Sequence, residues 1–168
     1  DGLPLSTLLQ EVAEPHRHFG IAIDVRMPAG QPSPVAARNP AILYGLGNLV
    51  ENAVDFARNR VEISAEWNAD NVSVVIADDG PGFAPEVMSR IGEPYVRSRR
   101  LRRMYATGDT GMGLGFFIAK TLLERSGGKL TFVNRPFPET GAIVTIRWSR
   151  QAFEFAETAE LEPRAASA

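Results

Sequence analysis

Two asparagines stand one helical turn apart in Asn48-Leu49-Val50-Glu51-Asn52-Ala53, and Asp78-Asp79-Gly80-Pro81-Gly82-Phe83 and Gly111-Met112-Gly113-Leu114-Gly115 follow along the chain. Carboxamide oxygens on one helix face suit magnesium, a hard ion that takes oxygen ligands while keeping waters and substrate phosphates. A carboxylate at the end of a buried strand is costly unless it is hydrogen-bonded, and the exocyclic amino group of adenine offsets that cost. Guanine carries a carbonyl oxygen at the same place, so the carboxylate repels it and selects adenine. Glycines at the opening of a helix leave N–H groups and the positive end of the helix dipole facing phosphate. Each segment alone has an ordinary reading as solvated helix or common turn. Their order, with one hairpin's length between helix and turn, points to a bound purine triphosphate, with Asn52 as the magnesium ligand and Asp78 on the base.

The second glycine run matches neither the P-loop pattern Gly-x-x-x-x-Gly-Lys-Ser/Thr nor the dinucleotide fingerprint Gly-x-Gly-x-x-Gly. Its glycines would let a loop fold over the triphosphate, with Thr107, Gly108 and Thr110 lengthening the hinge. Five arginines fall between Arg97 and Arg103. One or two of them are expected to offer forked donors to phosphate oxygens, and the remainder keep an exposed loop soluble. Phe56 reads as core, with stacking against a base as the alternative. Lys120 divides between phosphate contact and surface. His16 and His18 lack a third metal ligand nearby and read as surface residues.

The elements that must position these residues follow from periodicity. Leu5, Leu8, Leu9 and Val12 predict a short amphipathic helix with Ser6 placed to cap it. Ile21, Ile23 and Val25 alternate as a strand does. Five prolines and glycines between positions 28 and 40 make a loop, which closes with Asn39-Pro40 in the order that starts a helix. That helix runs to about Ala57, with Leu46, Val50, Ala53 and Ala57 as its packing stripe and Gly45, Asn48, Asn52 and Asp55 opposite. Val61 to Trp67 and Val72 to Ala77 read as a hairpin with one buried face. Residues 79 to 111 read as a long functional loop with a helical turn near Ala84 to Ile91. A helix from about Met112 stops at Gly127-Gly128, and Lys129 to Val133 and Ala142 to Trp148 read as strands.

The chain has 168 residues, 44% of them hydrophobic, which suits one domain with a real core. Cysteine is absent, so disulfides and thiolate metal sites are excluded. A net charge of −2 gives no reason to expect nucleic acid as a partner. No apolar run approaches the roughly 20 residues that cross a bilayer, and no signal-peptide order opens the chain, so no membrane contact is expected of it. The start at Asp1 and an Ala/Glu-rich end suggest a segment of a longer protein.

Together the segments resemble the catalytic and ATP-binding domain of sensor histidine kinases, in the GHKL superfamily shared with gyrase, heat-shock chaperone and mismatch-repair ATPases. Asn48 to Phe56 looks like the N box, and Asp78 to Phe83 and Gly111 to Gly115 resemble the two glycine boxes. Glu93-Pro94-Tyr95 resembles the short aromatic box of the ATP lid. Gly92 to Tyr95 and the stretch from Leu114 to Arg125 look most like redox-responsive kinases of purple bacteria. The resemblance implies an α+β fold of Bergerat type: a two-layer sandwich with a mixed five-stranded sheet, three main helices, and ATP between helices and a lid over residues 84 to 110. It implies residues 1–150 as the domain and 151–168 as a flexible tail. It implies nucleotide contacts from Asn48, Asn52, Asp55, Phe56, Asp78, Gly80, Gly82, Phe83, Arg97, Thr110, Gly111, Gly113, Leu114 and Gly115. Asn48 and Asn52 would form the catalytic pair, Asn52 would hold magnesium, and Asn48 would line the phosphate side.

The chain departs from the pattern at Asp55, where many members carry a phosphate-holding lysine. ATP-hydrolysing relatives place a glutamate base where Asn48 stands, and a neutral amide cannot deprotonate water, so transfer to protein is favoured over hydrolysis. The family's phosphoacceptor motif is absent around His16 and His18. The implied partners are therefore a histidine-bearing dimerisation domain of the same kinase and, through the full-length protein, a response regulator. The implied cofactors are ATP and Mg2+, and the implied location is the cytoplasm, with anchoring of the parent in the inner membrane left open. An anti-sigma-type serine kinase and a degenerate nucleotide-sensing module are the alternatives.

Overall fold

The computed structural model describes residues 2–37, 39–89, 91 and 113–155. The first helix, α1 (Leu5–Ala13), buries Leu5, Leu8, Leu9 and Val12, the stripe its spacing predicts. Ser6 does not cap it: the residue lies inside the helix, and its N–H instead donates to Ser33 Oγ at 3.1 Å. The reason is a small two-stranded ribbon that starts the helix earlier, β1 (Leu3–Pro4) antiparallel to β3 (Val35–Ala36). Between them in the chain comes β2 (Ala22–Arg26), which belongs to the main sheet. Asn39 does cap the next helix, α2 (Pro40–Phe56), accepting from the Ala41 N–H at 2.9 Å with proline behind it.

β4 (Arg60–Trp67) and β5 (Asn71–Asp78) form the expected hairpin, and β6 (Lys129–Asn134) and β7 (Ala142–Ser149) form a second. The main sheet has the order β2-β4-β5-β7-β6, with β2 parallel to β4 and the other pairs antiparallel. It is the mixed five-stranded sheet expected. Register aligns Ile63, Ile76 and Val144 in one row and Ala65, Val74 and Ile146 in the next, all buried. Their neighbours Glu62, Ser64 and Glu66 turn to the other face, so the sheet is two-sided as strand alternation requires.

The long helices α1, α2 and α4 (Gly113–Arg125) bury their apolar residues in one core with the inner face of the sheet. A short helix, α3 (Pro85–Met88), lies between α2 and α4 in the chain. On α2 the expected division of faces fails at Gly45, which is buried against α4, where a Cβ would run into the Leu123 side chain. Two partners, sheet and α4, demand a wider packing arc than the one stripe the sequence suggested. At its far end α4 stops as expected. Gly127 takes φ +93, its N–H donates to Glu124 O and the Gly128 N–H to Leu123 O.

The packed structure continues past residue 150, where the domain was expected to end. Residues 150–155 are helical, and Phe153 is fully buried with its ring 5.1 Å from that of Trp148. No helix among the described residues is long and apolar enough to cross a membrane.

Candidate nucleotide-binding site

α2 and β5 bring the asparagines and the aspartate to one end of the sandwich. A cavity of about 400 Å³ opens there, within the range of small-ligand sites. Asn52 and Phe56 line it from α2, Asp78 from the end of β5, Gly82 and Phe83 from the following turn, and Phe116 from α4. Five of the residues expected from sequence thus share one wall system. Asn48 and Gly115 do not line it but face each other beside it, since a Cβ on Gly115 would stand 3.9 Å from Asn48 Oδ1. Asp55 is exposed and does not line the cavity.

Asp78 is 4% exposed. Its Oδ1 accepts from the Gly80 N–H at 2.8 Å and the Ala142 N–H at 3.2 Å. Oδ2 has no protein donor among the described residues. Burial pushes the Asp78 carboxyl above its ordinary range, while the Gly80 and Ala142 N–H groups, and the charge of Arg135, pull it back. The neighbouring Asp79 charge adds to the upward push.

Asp79 has a different task. Its Oδ1 accepts the N–H groups of Arg58, Asn59 and Arg60 at 2.8, 3.0 and 3.2 Å, which ties the exit of α2 to the start of the turn. Partial burial raises the Asp79 carboxyl, but those N–H groups outweigh it and hold the group below the usual carboxylate range.

The first glycine turn is built for the protein as well as for a ligand. A Cβ on Gly80 would run into the Phe56 carbonyl oxygen at the end of α2. The end of α2 thus by itself requires glycine at position 80, one of the expected nucleotide contacts. Gly82 adopts φ +84, a conformation that favours glycine. Phe83 meets Phe116 and Phe132 edge-on, with ring centroids 6.0 and 6.1 Å apart.

Asn52 is half-buried, and its Nδ2 is the one buried side-chain nitrogen or oxygen among the described residues with no partner. An unpaired buried polar atom costs about 1–3 kcal/mol, so its presence at a cavity wall asks for a ligand. Half a turn of the amide exchanges nitrogen for oxygen, so this position can offer a donor to phosphate or an oxygen ligand to magnesium. The residues present fit both groups. No cluster of three acidic or histidine residues able to hold a metal occurs among the described residues.

Arg97, Thr110 and Gly111 lie outside the described residues, as does the aromatic box Glu93-Pro94-Tyr95; Gly113 and Leu114 are described only as the opening turn of α4. Lys120 fits neither expected role. It is buried on α4, with Nζ 3.0 Å from Glu124 Oε2. Sequence reasoning missed Asn134 and Arg135, whose side chains hold Phe83 and Asp78 across 51 and 57 residues of chain. No local pattern marks contacts of that separation.

A helix-covered mixed sheet with an acidic strand end and a carboxamide facing one cavity defines a nucleotide-binding α+β domain. The model of the family described as histidine kinase-, DNA gyrase B- and HSP90-like ATPase matches residues 39–152, and the chain belongs to that family. It is 46% identical over 160 residues to the sensor histidine kinase RegB of Cereibacter sphaeroides, covering 86% of this chain and 35% of that protein. The chain therefore spans about a third of the length of that relative. Among solved structures, full-length ShkA in complex with AMPPNP aligns with TM-score 0.66 at 28% identity, over 88% of this chain and 30% of that one. The mycobacterial sensor histidine kinase MprB, at 20% identity and TM-score 0.66, covers 89% of this chain and 96% of that one and shows the shared fold. The chain is a domain of this ATPase family with sensor histidine kinases among its relatives.

Proposed function

We propose that this chain binds MgATP in the cavity below Phe83 and passes the γ-phosphoryl group to a histidine on a separate dimerisation domain of a two-component sensor kinase, from which a response regulator receives it. The observation that carries the reading is one cavity with two uncommitted polar atoms, Asp78 Oδ2 and the amide terminus of Asn52. Asp78 Oδ2 accepts from the adenine amino group. Asn52 holds magnesium, with Asn48 and Gly115 beside it on the phosphate side, and Phe83 and Phe56 close the apolar walls around the base. Magnesium, when bound, neutralises the charge on the transferred group. A nitrogen of the incoming imidazole forms the new N–P bond as the bond to the bridging oxygen breaks and ADP leaves. Such a transfer needs positioning and charge neutralisation more than a protein base, which fits a neutral amide at position 48. The name of the relative at 46% identity, a sensor histidine kinase, supports the same reading.

The test supplies radiolabelled ATP, magnesium and a histidine-bearing dimerisation domain to the purified chain. Label that is stable to alkali and lost in acid, the behaviour of a phosphoramidate, is expected on that domain. Acid-stable label, or none while nucleotide still binds, refutes histidine transfer. In calorimetry, Asn52→Ala is expected to remove most of the gain in ATP affinity that magnesium brings, at least about tenfold, while magnesium-free binding changes little.

A further inference from the structure

We infer that Asn134 and Arg135, consecutive residues at the root of the β6–β7 hairpin, are positioning residues for base recognition, gripping the two ends of the Asp78–Phe83 turn. The inference rests on the assignment of Asp78 to the adenine base.

Arg135 holds the first end. Its Nε donates to the Asp78 carbonyl oxygen at 2.9 Å and its Nη2 to Glu62 Oε1 on β4 at 3.1 Å. A planar guanidinium with two fixed acceptors has little freedom, so the main chain of Asp78 is set against β4 through one rigid plate. Asn134 holds the second end. Its Oδ1 accepts the Phe83 N–H at 2.8 Å and its Nδ2 donates to the Phe83 carbonyl at 3.1 Å, so one amide pairs with both main-chain groups of Phe83 as a neighbouring strand would. A Cβ on Gly82 would stand 2.8 Å from that Oδ1, so the glycine leaves room for the grip.

The hairpin adds a third hold between these ends. The Arg135 N–H closes its root on Gly141 O at 2.9 Å. Gly141, at φ +138, lies against Asp78, where a Cβ would meet the carbonyl oxygen, and the next residue sends its N–H to Asp78 Oδ1. Both protein donors to the carboxylate thus approach one oxygen and leave the other for the base. Rotating or sliding the turn would turn Oδ2 away from the base edge and move the Phe83 ring that walls the cavity. The hairpin therefore sets which base fits, beyond its share in holding the fold.

Calorimetry of the purified chain with ADP and GDP tests this, with the ratio of the two dissociation constants as readout and cooperative thermal unfolding as the check on folding. Arg135→Gln and Asn134→Ala are each expected to reduce the preference for ADP by about tenfold, the scale of one well-placed hydrogen bond. Arg135→Lys, which keeps the positive charge and one donating nitrogen, should restore part of the preference. A residue with only a structural part would lower the unfolding temperature and leave the ratio unchanged in the folded protein, and that result overturns the inference. Should the variants fail to fold, hydrogen exchange in the unmodified chain decides: slow exchange of the Phe83 N–H without nucleotide supports the grip by Asn134, and fast exchange overturns it. Equal binding of ADP and GDP by the unmodified chain would instead overturn the base assignment of Asp78 and the inference with it, whereas a preference kept by folded variants overturns only the grip.

Discussion

Asp78 gives one oxygen to the protein and turns the other to the cavity, and asparagine at this position tests what that division achieves. An amide at position 78 can still accept from the Gly80 and Ala142 N–H groups, so the turn should keep its shape. Its Nδ2, however, can donate to the guanine carbonyl oxygen that a carboxylate repels. Asp78→Asn is expected to narrow the difference between ATP and GTP dissociation constants by about tenfold or more, mainly through tighter GTP binding. Unchanged discrimination in calorimetry would remove Asp78 from base reading. Asp79, its neighbour, acts on stability. Folding holds its carboxyl below the ordinary 3.8, so the ionised form is favoured in the folded state. The sign follows: the contribution is fully present above 3.8 and is lost as pH falls through the lowered value. Asp79→Asn should lower the urea midpoint at neutral pH, and the gap to the unmodified chain should shrink as pH falls below 3.8. A gap constant down to acid would show that the charge of Asp79 contributes nothing.

Helix α2 carries the carboxamides because its two ends are fixed by chemistry legible in the sequence. Asn39-Pro40 starts it, and Gly80 lets its last carbonyl, from Phe56, press against the nucleotide turn. The five strands of the main sheet, the α4 stop at Gly127-Gly128 and the cavity residues Asn52, Asp78 and Gly82 are equally legible, since each rests on local spacing or turn chemistry. What escaped depends on partners distant in sequence. Gly45 was placed on the ligand side because only one packing partner was foreseen for α2. Lys120 divides between phosphate contact and surface in the sequence because its burial, beside Glu124 one turn on, shows only after α4 docks. Asn134 and Arg135 gave no sign because their acceptors come from the other hairpin and the turn after it. Gly45→Ala measures the closeness of α2 and α4 directly. The added methyl enters the space of Leu123, and overpacking of this kind costs typically about 1–3 kcal/mol, against the smaller gain alanine brings to a helix interior. A lower unfolding temperature is expected, and a rise would show that Leu123 turns aside freely.

The sandwich separates its stability from its chemistry along the length of β5. Asp78 ends that strand at the cavity, while Val72 at the other end pairs with Trp148, whose ring meets Phe153. Six residues of extended strand put these ends about 20 Å apart. At the distal end, Trp148 Nε1 donates to Ser126 Oγ at 2.9 Å, Ala152 lies 3.0 Å from where a Cβ on Gly127 would stand, and the Ala37 N–H reaches the Phe153 carbonyl at 2.9 Å. Phe153 and its neighbour Ala152 thus join the end of β7, the exit of α4 and the link between β3 and α2. Phe153→Ala empties a fully buried site and is expected to cost about 3–5 kcal/mol in urea unfolding, with loss of the native Trp148 environment at lower denaturant. Below the transition, the ADP dissociation constant should stay within about twofold of the unmodified value, because sites this far apart without shared partners act independently. An affinity that fell in step with stability would show that the distal cluster and the nucleotide turn move as one body. Unchanged stability would show that the helical segment 150–155 docks too weakly to count in the fold.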